Sequence, residues 1–408
     1  MSKPLRWYLL SIASVLLPGG ISMVVFPSLV AIYLGASPER LGIAQMAGQL
    51  PSLVLVLLGG VVGDRFDQKR ILIAAHVLAA LPSATLALAI ALDAMTYRLL
   101  VGYAFALGVV GAIAQPSRDA LLSRVAGADV QRTVTVVMAL QFVAQIVGFG
   151  VGSLTSVVGP ALVLAVHAAA MSAGAIAVSR IALAPVDGVQ RSPRQPPARR
   201  KALREIGDAL RTVVDSQRLL PVMVVNTGIS VFFGGTFVVL IPLQIRDVYG
   251  GGPGAIAFAF LANMVGTVAM MTFLVARGGI AHQGRALVLA LLSGSLVLLP
   301  MCFGVAASTF FALIFCWGLG AGVAMSMVRT IAQEAAPATH RARVMSVLSL
   351  GGMGGSAIGS LAMGYAAAAV GPGHATWLAV VGMAVLTTAV VLASGIWRLM
   401  PIASSETV

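Results

Sequence analysis

Acidic side chains are scarce in this sequence of 408 residues: thirteen Asp and Glu stand against 26 Lys and Arg, and charged residues of both signs make up 10% of it. None of the thirteen falls near the centre of a long apolar run. A deep carboxylate is the usual holder of a strongly cationic ligand, so tight binding of such a ligand is not expected. Cysteine is limited to Cys302 and Cys316, both inside apolar runs. They read as two small buried thiols, not as a disulfide framework or a metal pair. No Gly-rich loop has the form that cradles phosphate, and no metal cluster or nucleophile triad is evident. Gly250-Gly251-Gly252 before Pro253 is a turn. Neither an enzyme nor coupling to ATP is expected, and no cofactor is implied.

What remains is apolar residues, 59% of the chain, with a mean hydropathy of +0.98. No soluble domain is built this way. A helix needs about 20 apolar residues to cross the hydrocarbon core. Twelve runs meet that need, roughly 8–33, 41–63, 70–93, 99–125, 130–157, 161–183, 219–245, 253–276, 286–306, 308–334, 343–370 and 374–398. Connections between them alternate between basic and nearly charge-free, and 23 of the 26 Lys and Arg fall on one side. Short cytoplasmic loops retain such residues, so both termini are expected in the cytoplasm. The first run follows Lys3 and Arg6 and is too long for a signal-peptide core; it reads as an uncleaved span. The net charge of +13 is scattered through short loops, which argues for topology and anionic headgroups over nucleic acid.

One long polar stretch, about 185–217, separates six runs from six. The expected domains are thus 1–184, a cytoplasmic linker over 185–217, and 218–408. The linker opens on Gln190-Arg191-Ser192-Pro193 and goes on to place Leu203, Ile206, Leu210 and Val213 at helical spacing, an amphipathic helix for the membrane surface. A faint repeat supports the division. A shift of 211 carries Arg118 onto Arg329, Arg132 onto Arg343 and Gly148 onto Gly359, and a shift of 215 carries Gln68 onto Gln283 and Arg70 onto Arg285. Gly148, Gly150 and Gly152, and Gly351, Gly352, Gly354 and Gly355, are placed to let helix backbones approach.

The sharpest local pattern runs from Gly60 through Gly63, Asp64, Arg65 and Phe66 to Asp67, Gln68, Lys69 and Arg70. It resembles the signature loop of the major facilitator superfamily, G-x-x-x-D-R-x-G-R-K/R, with Asp67 where glycine is usual and Gln68 where arginine is usual. A carboxylate at a membrane edge can hold the positive end of a neighbouring helix, and an adjacent Arg can bind an acid. The resemblance implies that Asp64 meets the start of the eleventh span and that Arg65 reaches an acid at the end of the fourth, for which Asp119 is the candidate. Pro116-Ser117-Arg118-Asp119-Ala120-Leu121-Leu122, with Arg132, resembles a segment of the enterobactin-exporter-like and macrolide-efflux-like bacterial branch. Glu334, Arg341 and Arg343 fall in its counterpart between spans ten and eleven. What the resemblance implies is an all-α membrane protein of twelve transmembrane helices, in two pseudo-symmetric six-helix bundles with a substrate site between them. Gly60, Asp64, Arg65, Lys69, Arg70, Arg118, Asp119, Arg132, Glu334 and Arg343 are then the candidates for gating.

Uncharged polar residues point to the cavity. Gln45 and Gln49 share one face of the second span, as Gln141 and Gln145 do in the fifth, and Asn226, Asn263 and Trp317 lie near mid-depth. An amide facing lipid is costly, so these are expected to face the interior, either as substrate contacts or as glue between helices. With Tyr103, Phe232 and Phe233 they describe an apolar pocket suited to amphipathic molecules. If protons are coupled, Asp119, Glu334, His76 and His167 are the candidates, against the plainer role of packing residues for each His. The expected function is proton-coupled export of a small amphipathic organic molecule (a drug, siderophore or natural product) across the inner membrane of a bacterium. The protein would act as a monomer in the lipid bilayer, with no nucleic-acid or metal partner. An uncoupled facilitator or importer, or a transporter-like receptor, are the alternatives.

Overall fold

The computed structural model describes residues 3–65, 67–126, 130–182, 207, 210–337 and 341–401; within helices it leaves aside the side chains of Val54, 56–65, Ser123, Ala126, 130–132, 134–135 and Ala342. Among the described residues there are helices and no strand. In hydrocarbon a backbone must satisfy its own polar groups, and the helix does so within one segment. The long helices are α1 Lys3–Tyr33, α2 Pro38–Arg65, α3 Gln68–Ala91, α4 Tyr97–Ala126, α5 Val130–Ser153 and α6 Pro160–Ser179. They continue with α7 Leu219–Asp247, α8 Pro253–Ala276, α9 Gln283–Phe303, α10 Ala307–Ala335, α11 Arg341–Val370 and α12 Pro372–Ala393. Eleven of these carry a stretch long and apolar enough to cross a membrane, and α2 has the length, at 28 residues. Large apolar side chains such as Leu392, Val275 and Val157 are more than three-quarters exposed, a surface that suits lipid and not water.

Several helices depart from the regular form expected of them, each at a recognisable residue. Pro300 has no N–H for the carbonyl four residues back, so α9 tightens into a 3₁₀ turn over Leu299–Phe303 and stops at Gly304, whose φ is +70°. α12 ends five residues short of the expected 398: Ser394 is extended, and Ile396–Arg398 form a separate turn that tucks Ile396 against the start of α9. The last turn of α1, Leu29–Tyr33, and two stretches of α7, Ile229–Gly234 and Thr236–Leu240, are π-helical. Of the expected amphipathic helix in the linker, Leu203 and Ile206 lie outside the described residues. Leu210 and Val213 fall in one helical turn, with Val213 buried and Leu210 exposed.

The chain forms two compact units. One comprises 1–36, 47–198 and 251–257; the other comprises 37–46, 199–250 and 258–408. In the first, α1 packs on α5 and α6, and α3 on α4 and α6. Its core includes Tyr8, Ile12, Leu72, Leu121 and Val178. The α1–α5 seam is closed by Gly20 and Gly148: a methyl group added at Gly148 would lie 2.5 Å from the Leu17 carbonyl and 2.8 Å from the Gly20 Cα. In the second unit, α9 packs on α10 and α12, and α11 on the π-helical part of α7. Its α7–α11 seam is closed by Gly235 and Gly359, and a methyl group at Gly235 would lie 2.5 Å from the Gly359 carbonyl. The repeat read from the sequence therefore pairs Gly148 with Gly359 at the same kind of backbone approach. Gly150 is different; it faces open space.

Candidate functional site

Each unit carries a partly open cavity. That of the first unit, about 200 Å³, lies among α1, α3, α4 and α6. Leu72, Val110, Ala114 and Met171 give it apolar walls, and Ser22, His76, His167 and Arg118 supply its polar groups. His76 is buried and fully engaged, with Nδ1 2.7 Å from the Leu72 carbonyl and Nε2 3.3 Å from the Ser14 hydroxyl. His167 is buried with Nε2 3.0 Å from the Ser22 hydroxyl, while its Nδ1 has no hydrogen-bond partner. Tyr103 closes the same region, its hydroxyl 3.2 Å from Ser22 Oγ and its ring stacked on Phe26.

The cavity of the second unit, about 220 Å³, lies among α7, α8, α9 and α10. Its walls are aromatic: Phe233 meets Trp317 edge-on at 5.6 Å, and Phe237 stacks on Phe260 at 4.4 Å. Asn263 is the polar group, donating its amide to the Ile314 carbonyl at 3.4 Å. Phe233 and Phe237, four residues apart on α7, share one face of the helix and one lining. Phe232 is not part of it. Its ring covers Gly382 of α12 and lines a groove on the other side of α7 with Leu386.

The remaining cavity candidates divide. Within the second unit Gln45 donates its amide to the Val238 carbonyl at 3.1 Å. Pro242, four residues further along α7, has no N–H to offer that carbonyl. Asn226 donates to the Leu348 carbonyl at 2.9 Å and so joins α7 to α11. Gln145 donates to Met23 Sδ at 3.0 Å, and Gln141, one turn earlier on α5, is exposed. Gln49 is half-buried. Gln45, Asn226 and Gln145 thus each bond from one helix to another.

Among the gating candidates, Gly60, Asp64 and Arg65 fall on the last turns of α2 and Arg132 on the first turn of α5; their side chains lie outside the described residues. Asp67, which stands where the family pattern has glycine, caps α3 by accepting from the Arg70 N–H at 3.0 Å, and the Arg70 side chain is exposed. Lys69 donates its ammonium to the Ile181 carbonyl at 2.8 Å, just past the end of α6, where helix carbonyls lack partners. Arg118 and Asp119, adjacent in sequence, part company. Arg118 lines the cavity of the first unit, with a buried Nε that has no hydrogen-bond partner. Asp119 is exposed and takes the Gln115 amide at 3.2 Å. Glu334 takes the amide of buried Gln283, at the start of α9, at 3.1 Å. Arg343 is half-buried in the first turn of α11. Cys316 corrects the expectation of two buried thiols: Cys302 is buried, but Cys316 is exposed, because it shares the outward face of α10 with Phe315. Ser22 and Phe237 were not singled out by sequence reasoning. The available signal was the spacing of Val15, Gly19 and Ser22 along one face of α1.

Membrane-length helices around apolar cavities with a few fixed polar groups define a polytopic carrier of small molecules. Residues 8–360 match the model of the Major Facilitator Superfamily, and the chain belongs to that family. The fold agrees. The crystal structure of the nucleoside transporter NupG superposes with a TM-score of 0.72 at 15% identity, covering 96% of this chain and 99% of that one. That of a bacterial homologue of the human lysosomal transporter Spinster, inward-facing and unoccupied, gives 0.69 at 13% identity, covering 98% and 97%. Likeness at this identity is likeness of fold. Among curated proteins none matches the sequence.

Proposed function

We propose that this chain is a secondary active transporter that exports a small amphipathic organic molecule, a drug, siderophore or natural product, by alternating access of its two six-helix halves. The observation that carries the reading is the make-up of the two cavities. Apolar and aromatic walls bear a few polar groups (Ser22, His76, His167 and Arg118 in one, Asn263 in the other), which suits a molecule with an apolar body and few polar atoms. Proton coupling is part of the proposal, with His167, Asp119 and Glu334 as the titrating groups; His76, with both nitrogens engaged, is the weakest of the four. The basic asymmetry of the loops supports cytoplasmic termini in a bacterial inner membrane, and the protein is proposed to work as a monomer. Asp64, Arg65, Arg118, Asp119, Arg132, Glu334 and Arg343 are proposed to latch the cytoplasmic side.

A second reading has one observation in its favour. No acid stands at mid-depth in a described helix, so a facilitator or importer without proton coupling remains a defined alternative. Reconstituted full-length protein separates the two, with a panel of lipophilic drugs, a siderophore and nucleosides offered with and without an imposed pH gradient. Uphill movement that needs the gradient supports coupled export. Equal movement without it supports the facilitator, and binding without movement of any solute supports a receptor.

A further inference from the structure

The cavity of the first unit has a charge problem of its own. Of its polar residues, Ser22 and His76 are engaged with neighbours, and two nitrogens are buried and unpartnered: Arg118 Nε and His167 Nδ1. No Asp or Glu is among its lining residues, and among the described residues Arg118 makes no ion pair. The neighbouring carboxylate, Asp119, is exposed and engaged with Gln115. Arg118 as a whole is half-buried and feels the charge of Asp119, but its Nε and His167 Nδ1 are out of water and unbonded, which is costly. An oxyanion resolves both, since the planar fork of an Arg matches a carboxylate bidentately. One guanidinium offsets one negative charge, and a second charge would be desolvated without compensation.

The shape adds a second requirement. Leu107, Val110, Gly111, Ala114 and Arg118 line the cavity from α4, and eleven residues of helix rise about 16 Å. The space is therefore elongated, with Arg118 towards one end and the Ser22–His167 pair on other helices of the same lining. A volume of about 200 Å³ holds about seven groups of the size of water at roughly 30 Å³ each. We infer that this cavity binds a small amphipathic monoanion, with its carboxylate on Arg118, an apolar body between α1, α3, α4 and α6, and a second polar atom meeting His167 Nδ1. This deepens the reading of the chain as a carrier of amphipathic molecules by giving the ligand a charge, but the site is defined by binding alone.

The test reads binding on the full chain in zwitterionic nanodiscs, by calorimetry against empty discs, with ω-hydroxyhexanoate, hexanoate, hexanediol and inorganic phosphate as probes. ω-Hydroxyhexanoate is expected to bind about tenfold or more tighter than hexanediol, the worth of a hydrogen bond to a charged group. Arg118→Gln should remove that preference, and His167→Phe should bring ω-hydroxyhexanoate down to the level of hexanoate. Arg118→Lys, which keeps the charge and loses the fork, serves if the Gln variant does not fold, and should retain part of the preference. Hexanediol binding as tightly as the acid, or a preference that survives in Arg118→Gln, overturns the inference. So does phosphate binding as tightly as ω-hydroxyhexanoate, since the apolar body would then contribute nothing. Because no transport step is read, failed export in proteoliposomes leaves this result standing, and failed binding leaves export standing.

Discussion

The Ser22 hydroxyl lies 3.0 Å from His167 Nε2, which joins α1 to α6 at a point where α4 also arrives through the Tyr103 hydroxyl, 3.2 Å away. His167 and Tyr103 are both buried; His167 Nε2 depends on this one oxygen, while the Tyr103 hydroxyl also has the Ser83 side chain beside it. Ser22→Ala would strand the His167 nitrogen. A stranded buried group costs about 1–3 kcal/mol. The variant should therefore unfold at lower denaturant than the parent in mixed micelles, and Ser22→Thr should recover most of the loss. An unchanged midpoint for Ser22→Ala would show that the contact carries no stability.

The glycines of the α1–α5 seam make a sharper comparison. Gly148 faces the Leu17 carbonyl and the Gly20 Cα, whereas Gly150, half a turn away, faces nothing within 4 Å. Overpacking costs about 1–3 kcal/mol. Gly148→Val should lower the melting temperature accordingly, with Gly150→Val close to the parent. Gly359→Val, in the α7–α11 seam, should behave like Gly148→Val. Equal behaviour of the two α5 variants would rule out close approach as the reason for Gly148.

Lys69 carries two readings, a latch residue by family resemblance and a helix-end donor by contact. Its bond to the Ile181 carbonyl belongs to a single unit. Lys69→Met should lower stability by about 0.5–1.5 kcal/mol, the usual worth of one hydrogen bond, and leave cysteine-probe accessibility at the cytoplasmic side as it was. A shift in accessibility with unchanged stability would return Lys69 to the latch.

The two thiols give a direct readout of which face of α10 looks outward. In detergent, an apolar maleimide should label Cys316 and spare Cys302. Cys316→Ser should then abolish labelling, and Cys302→Ser should leave it unchanged; the opposite pattern would reverse the assigned face of α10.

The helices were legible because a span is written as an unbroken apolar run, and eleven of them reappear as membrane-length helices. Their irregular ends were less so. Pro300 marks the tightening of α9, but nothing in Ile229–Leu240 distinguishes a π turn from an α turn by composition, and which face of α7 meets the cavity, so that Phe237 lines it and Phe232 does not, is settled by packing. Direction was the other loss. Arg118 and Asp119 are neighbours in sequence about 100° apart around a helix, so a charged pair that reads as one cluster is divided between a cavity and a surface. His76 and His167 stand 91 residues apart in the sequence; that both line one cavity depends on α3 packing against α6, which no spacing along the chain encodes.

The position of Arg118 also bears on how the protein is made. It stands eight residues before the end of α4, in a helix that additionally carries Arg98, Asp119 and Arg124. An Arg so near the end of a span can extend to the interface and escapes the cost, about 2.5–3.5 kcal/mol on translocon scales, of one at the centre. α4 is thus long and apolar enough to enter the membrane with its charges at its ends, and the walls from α1 and α3 close round Arg118 only as the unit packs. Insertion and the sheltering of this charge are then separate events.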